Sequence, residues 1–369
     1  MDYIIIFILL SILTWLYFFT RESGLQKSTV ATRLPPGPYP LPIIGNILEL
    51  GDKPHHSLAS LSKTYGPLMS LKLGSTTMIV VSSCEIAQEF FSKHDISFSS
   101  RSVPCAIRVI DSHNTSMVWL PVGDQWRRLR RICKEHLFSV RQLDASRFLR
   151  KKKVQELLDF VHGCRMSGKP INIGETAAIT TLNVLSNYIF STDLAQYDSP
   201  SSQEFKKMVW AVMEISGAPN LADYFPVLRP LDPHGLLRRS KFYNKKLSAI
   251  FEQHISERLR ARSTSSSDAS NMDLTDLLLN ISKDQNSSIS LNDIRQLLYD
   301  LFLAGTDTTR MCPGLPLADI MLHLMLGTLI HKFDWKIEGG MRTQDMDMTD
   351  KFGFTLKKNL PLMAIPVKL

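Results

Sequence analysis

The run from Leu301 to Ala318, LFLAGTDTTRMCPGLPLA, gathers most of the side chains in this sequence whose types and spacing could do chemistry. Cys312 is followed by Pro313 and Gly314, then by an apolar helical pattern at Leu317, Ile320, Met321, Leu324 and Met325. A cysteine just ahead of a helix start meets unpaired N–H groups and the positive end of the macrodipole, and both favour thiolate over thiol. Such a thiolate can ligate a transition metal such as iron. Taken alone, a single cysteine is more often a small buried core residue. Upstream, Ala304 to Thr309 reads AGTDTT. Asp307 and Thr308 set an acid beside an alcohol, a pair able to pass protons. The same letters also suit an ordinary helix end, with Gly305 as terminator. Farther back, Trp126 and Arg130 stand four apart on a helix beginning near Asp124, so an indole and a guanidinium can reach one anionic group together.

Regular elements must position these groups. Ser290 reads as an N-cap for a helix whose Leu291, Ile294, Leu298, Leu301 and Phe302 share an apolar face. Leu61 to Tyr65 reads helical, Leu68 to Leu73 and Met78 to Val81 read as a hairpin around Gly74, and Cys84 to Lys93 reads helical again. Phe98 to Asn114 reads as irregular. From Phe148 to Arg262 the pattern is mostly helical, and the Ser-rich stretch 261–271 reads as an exposed loop. Extended segments follow at Phe333 to Ile337, Phe352 to Leu356 and the C-terminal Pro-Leu-Met-Ala-Ile-Pro-Val.

Composition sets the remaining bounds. With 369 residues, 44% hydrophobic and 21% charged, the chain can bury a large core. Its five cysteines show no paired spacing, which argues against a disulfide framework or a zinc site. Tyr3 to Thr20 is apolar except for Ser11 and Thr14, and is long enough to cross a bilayer. Asp2 precedes it and Arg21, Lys27 and Arg33 follow, which predicts an uncleaved anchor with a cytosolic body. A cleaved signal peptide is the alternative. Leu34 to Asn46, LPPGPYPLPIIGN, excludes helix and favours a stiff extended path. The net charge of +8 is dispersed, so nucleic-acid binding is a distant reading.

RMCPGLPLA resembles the cysteine-ligand loop and following helix of cytochromes P-450. AGTDTT resembles their oxygen-activation segment, and LPPGPYPLPIIGN the proline hinge of their microsomal members. In detail, WLPVGDQWRRLRRICKEHLFS and LMLGTLIHKFDWKIEGG are most similar to the plant terpenoid-oxidising, geraniol hydroxylase-like branch. The resemblance implies a mainly α fold with a small β subdomain and an N-terminal transmembrane helix. It also implies haem b, with Cys312 as axial iron ligand and Trp126, Arg130 and Arg310 on the propionates. Asp307 and Thr308 would be the proton relay. Ile107, Val109, Ile110 and His113 become candidates for the substrate pocket, with plain packing an equal alternative, and Ala304 and Phe354 are further candidates there. Expected partners are dioxygen, a small apolar substrate, membrane lipid and an NADPH-dependent flavoprotein reductase. The expected site is the endoplasmic reticulum membrane. Segments would be the anchor 1–20, a basic flank and hinge 21–57, and a haem-thiolate domain 58–369.

One departure is large. In the family the two motifs stand far apart, separated by a Glu-x-x-Arg helix, a Pro/Arg loop and much of the small sheet, so the fold implied here is incomplete. In this chain Thr309 runs directly into Arg310, Met311 and Cys312. Counting back from Cys312, the family's Phe-x-x-Gly-x-Arg-x-Cys loop finds Gly305 in place of Phe, Thr308 in place of Gly and only Arg310 matching. From Thr308 to Cys312 the backbone spans at most about 14 Å. Glu257 to Arg260 fits Glu-x-x-Arg but precedes AGTDTT, and reads as a surface helix. The expected product is therefore either a haem-thiolate monooxygenase or a shortened, haem-free relative of one.

Overall fold

The computed structural model describes residues 7, 11, 14, 34–110, 112–264, 273–283, 289–307, 315–353 and 355–369. It divides into two compact units, residues 1–94 with 224–226, and residues 95–223 with 227–369.

The first unit is built on a hairpin. Helix α1 (Pro54–Tyr65) leads into β1 (Leu68–Leu73) and β2 (Thr76–Val81), paired antiparallel from Leu68 opposite Val81 to Leu73 opposite Thr76. The turn needs a positive φ, and Gly74 supplies it at 53°. Alternation along β1 buries Met69, Leu71 and Leu73 against Leu58, Leu61 and Tyr65 of α1. Helix α2 (Cys84–Lys93) is capped by the Ser83 side chain, which accepts from the Ile86 amide. The proline-rich stretch lies along the outer edge of β1. Pro36 carbonyl accepts from the Ser70 amide at 2.8 Å, and Asn46 exchanges bonds with Lys72 through its amide and its Oδ1. Prolines cannot donate, so this stretch covers a strand edge without offering a new one.

The second unit is mainly helical. Its longer helices are α3 (Asp124–Ile132), α4 (Arg147–Ser167), α5 (Ile173–Phe190), α6 (Pro200–Gly217), α7 (Leu236–Thr264), α8 (Leu274–Lys283), α9 (Leu291–Asp307) and α10 (Leu315–Lys332). A three-stranded antiparallel sheet orders β3 (Ile171–Asn172), β7 (Met363–Lys368) and β4 (Phe333–Ile337), with β7 central. A small pair, β5 (Asp350–Lys351) and β6 (Lys357–Lys358), lies between β4 and β7 in sequence. One apolar core takes side chains from most of these helices, including Leu157, Ile179, Leu185, Phe251, Leu278, Ile294, Leu298, Phe302, Leu317 and Met321. At the α7 to α8 connection, Arg258 pairs with Asp273 and, at 3.4 Å, with Asp276. Glu257, Leu259 and Arg260 face solvent, as a surface reading of that motif requires.

Two expectations need amendment. The stretch 98–114 is irregular only in part: short helices run Asp95–Phe98 and Cys105–Arg108, followed by a 3₁₀ turn at Ser112–Asn114. Single turns carry too few residues to show a period, and the second is held from outside by Asp223, which accepts from the Cys105 amide at 2.6 Å. Helix α7 also continues to Thr264, into the stretch read as loop. The anchor expected over 1–20 lies largely outside the described residues. Among those described, no helix is long and apolar enough to cross a membrane.

Gly45 has φ 65°, and a β-carbon there would stand 2.0 Å from the Lys72 carbonyl oxygen. Replacing Gly45 by Ala forces both a left-handed alanine and a backbone collision. The expected loss is at least about 2 kcal/mol, read from a urea titration of the full chain.

Candidate functional site

The site is carried by α9 and by the segment that leads into α3. Helix α9 starts with a reciprocal cap. The Ser290 hydroxyl accepts from the Asp293 amide at 3.0 Å, while the Asp293 carboxylate accepts from the Ser290 amide at 2.9 Å and its hydroxyl at 2.7 Å. The other Asp293 oxygen accepts from Gln125 Nε2 at 2.8 Å, tying the first turn of α3 to the first turn of α9.

A second tie lies two turns along. Asp300 is buried, and its Oδ1 accepts from the Ser116 hydroxyl at 3.0 Å and from Gln296 Nε2 at 2.7 Å. Burial pushes the Asp300 carboxyl up to about 7, against the pull of the Gln296 and Ser116 hydrogen bonds. Ser116 is itself buried. The stretch after the Cys105–Arg108 turn is thus fastened to α9 through Asp300, and α3 through Asp293.

On α3, the Arg130 guanidinium lies over the Trp126 ring, 5.3 Å from its centroid. Arg130 is exposed and has no carboxylate partner among the described residues, whereas neighbouring Arg127 pairs with Asp124 at 3.3 Å. A guanidinium steadied by an indole and left without an anion suits a carboxylate-bearing ligand. Beyond α3 the helix widens into a π-helical turn, Cys133–Leu137, which buries Cys133 and Leu137.

Other expected residues fall as follows. Ala304 is half-buried on α9, Ile107 is buried within its short helix, and Val109, Ile110 and His113 are half-buried beside it. Asp307 is the last residue of α9, described in backbone alone. Thr308, Arg310, Cys312 and Phe354 lie outside the described residues. Gly305 has a role that the motif alone did not reveal. A β-carbon there would stand 2.7 Å from Leu185 Cδ1, so this glycine admits α5 to close contact with α9.

Sequence reasoning missed Asp300, Ser116 and the Gln125–Asp293 bond. The one available signal was Asp300 itself, a lone acid inside the apolar run LLYDLFLAG. A cavity of about 770 Å³ is lined by Gln142, Phe148, Lys152, Tyr188, Asp273 and Leu277 among others, and so lies apart from these residues.

What the described residues bring together is one capped helix, α9, with the small pair Ala304 and Gly305 near its end, tied to a helix that stacks Arg130 on Trp126. Comparison with known proteins gives the family. The cytochrome P450 family model matches residues 35–311, and the chain belongs to that family. It is 37% identical to cytochrome P450 76T24 of Catharanthus roseus over 499 aligned positions, covering 99% of each chain, and 34% identical to geraniol 8-hydroxylase of the same plant over 500 positions. It is also 44% identical to the inactive cytochrome P450 76AD1 of Beta vulgaris over 309 positions, 84% of this chain. Because 369 residues here span the 499 positions end to end, the relative carries well over a hundred positions in its interior that this chain lacks. The family match stops at Met311, one residue short of Cys312. Membership brings haem b as cofactor, with electrons from NADPH through a reductase.

The buried Asp300 gives this site a pH signature. Folded, it holds its proton up to about pH 7; unfolded, only to about pH 4. The folded state therefore carries the extra proton between those values. Stability contributed by this group is greatest below about pH 4, falls as pH rises through the window, and is lost above 7. Asp300→Asn keeps an oxygen for Ser116 and Gln296 without the charge. Relative to the parent chain it is expected to gain a few kcal/mol at pH 8 and nothing at pH 4, measured by urea unfolding across that range.

Proposed function

We propose that this chain is a membrane-anchored haem-thiolate monooxygenase that hydroxylates a small apolar substrate of the terpenoid class. The observation that carries the reading is Arg130 stacked on Trp126 and without an anion among the described residues, on a helix fastened to the one that ends in Asp307. The relatives named as geraniol 8-hydroxylases supply the substrate class.

The roles divide as follows. Cys312 would hold the haem iron as thiolate, and Trp126, Arg130 and Arg310 would hold the propionates by charge-assisted hydrogen bonds. When bound, the haem supplies reductive activation of dioxygen and insertion of one oxygen atom into a C–H bond. Asp307 takes protons from solvent, and the Thr308 hydroxyl passes them on. Ile107, Ile110, Ala304 and Phe354 would be the apolar side chains that exclude water and orient the substrate. Residues 1–20 anchor the chain in the endoplasmic reticulum membrane, 21–57 form the basic flank and hinge, and 58–369 form the cytosolic catalytic body. A flavoprotein reductase would dock on the basic face of α3, where Arg127 and Arg131 are exposed.

A second reading has its own support. The missing interior positions and the likeness to an inactive relative favour a shortened chain that binds no haem. A reduced, carbon monoxide-bound difference spectrum of the full chain separates the two. The expected result is a thiolate-type Soret band that Cys312→Ala abolishes. Folded, membrane-bound protein with no haem signal would establish the second reading.

A further inference from the structure

The hairpin of the first unit has one covered edge and one open edge, and the open one has a hydrogen-bonding phase that matches itself. In an antiparallel ladder the opposed residues exchange hydrogen bonds only in every second pair. The Ser82 amide donates to Pro67 carbonyl at 2.7 Å, so within the register the bonded pairs are Met69 with Val80, Leu71 with Met78 and Leu73 with Thr76. Main-chain groups of the alternate residues point outward. On β1 those residues include Ser70 and Lys72, the two that bond Pro36 and Asn46, which fixes the phase independently. On β2 they are Thr77, Ile79 and Val81, and their outward groups find no partner among the described residues.

We propose that β2 pairs antiparallel with β2 of a second copy of this chain, about a two-fold axis through Ile79. That register sets Ile79 opposite its own counterpart and Thr77 opposite Val81 of the second copy. Every outward N–H and C=O of the three residues then bonds its counterpart, because two identical strands in this phase are complementary about a dyad. Three observations select a second copy as the occupant. The strand Thr-Thr-Met-Ile-Val-Val carries no charge, so a like strand meets no repulsion. It also carries no lysine or proline of the kind that guards open edges, and Ile79 is 44% exposed upon it. The far edge of the hairpin is covered by the proline-rich stretch, so pairing closes at two copies into a four-stranded sheet and does not run on.

The test uses the full chain in detergent micelles. Sedimentation at low micromolar concentration should give twice the chain mass, and Ile79→Lys should halve it with an unchanged far-ultraviolet circular dichroism spectrum. Bonded pairs hold Cα atoms about 5.5 Å apart, within the reach of a disulfide. Ile79→Cys, in a Cys84→Ser background that removes the native thiol exposed among the described residues, should therefore form a covalent dimer on mild oxidation, and Ser92→Cys in the same background should not. A parent chain of single mass, an Ile79→Lys mass equal to the parent's, or failure of the Ile79→Cys variant to cross-link overturns the proposal. A mass that grows past two copies also overturns it, since the covered edge would then not be closing the assembly.

Discussion

The chemistry proposed for this site depends on how far a short piece of backbone can reach. Helix α9 ends at Asp307 and α10 begins at Leu315, so residues 308–314 alone join them. Both helices are held in the same core, α9 through Ile294, Leu298 and Phe302 and α10 through Leu317, Met321 and Met325. Within that connection sit the alcohol, the arginine and the thiolate that the proposed chemistry needs. The relative matched end to end carries well over a hundred interior positions that this chain lacks. Chain connectivity, more than the identity of any side chain, decides whether iron and proton relay can face each other here.

The rest of the site is better determined, and it is determined from α9. Its capping aspartate serves two purposes, since one oxygen closes the helix start and the other holds Gln125 of α3. Seven residues along, Asp300 grips Ser116 from inside the core. A buried carboxylate is an expensive clasp, because desolvation works against its charge. Its hydrogen bonds run to the segment that precedes the tryptophan–arginine pair. Both partners of each tie lie before the α9 to α10 connection in the chain, so the ties do not depend on the length of that connection.

Legibility in the sequence followed the length of the period. The hairpin around Gly74, α2 and the apolar face of α9 were readable because alternation or a helical repeat ran over enough residues to be unambiguous. The single turns near Cys105 and Ser112 were not, because one turn shows no repeat and tertiary bonds such as Asp223 to the Cys105 amide hold it in place. At the site, Trp126 and Arg130 could be paired from spacing alone. Asp300 could be noticed but not assigned, since its partner is 184 residues away in the chain. Gly305 illustrates a different limit. Its letter suited a helix terminator, whereas α9 continues to Asp307 and the space beside the glycine belongs to Leu185.

The Arg258 to Asp273 ion pair at the base of the α7 to α8 connection bears on how this protein can be lengthened. It closes 15 residue steps of chain, beginning in the last turns of α7, and the two ends are also held by the buried packing of α7 and α8. Polymer statistics make the closure entropy of such a loop grow only with the logarithm of its length, about 0.6 kcal/mol for each doubling. With its ends fixed by a charge pair, the serine-rich stretch beyond Thr264 is a place in the chain where evolution or an experimenter can insert an epitope, a fluorophore tag or a whole small domain at little thermodynamic expense.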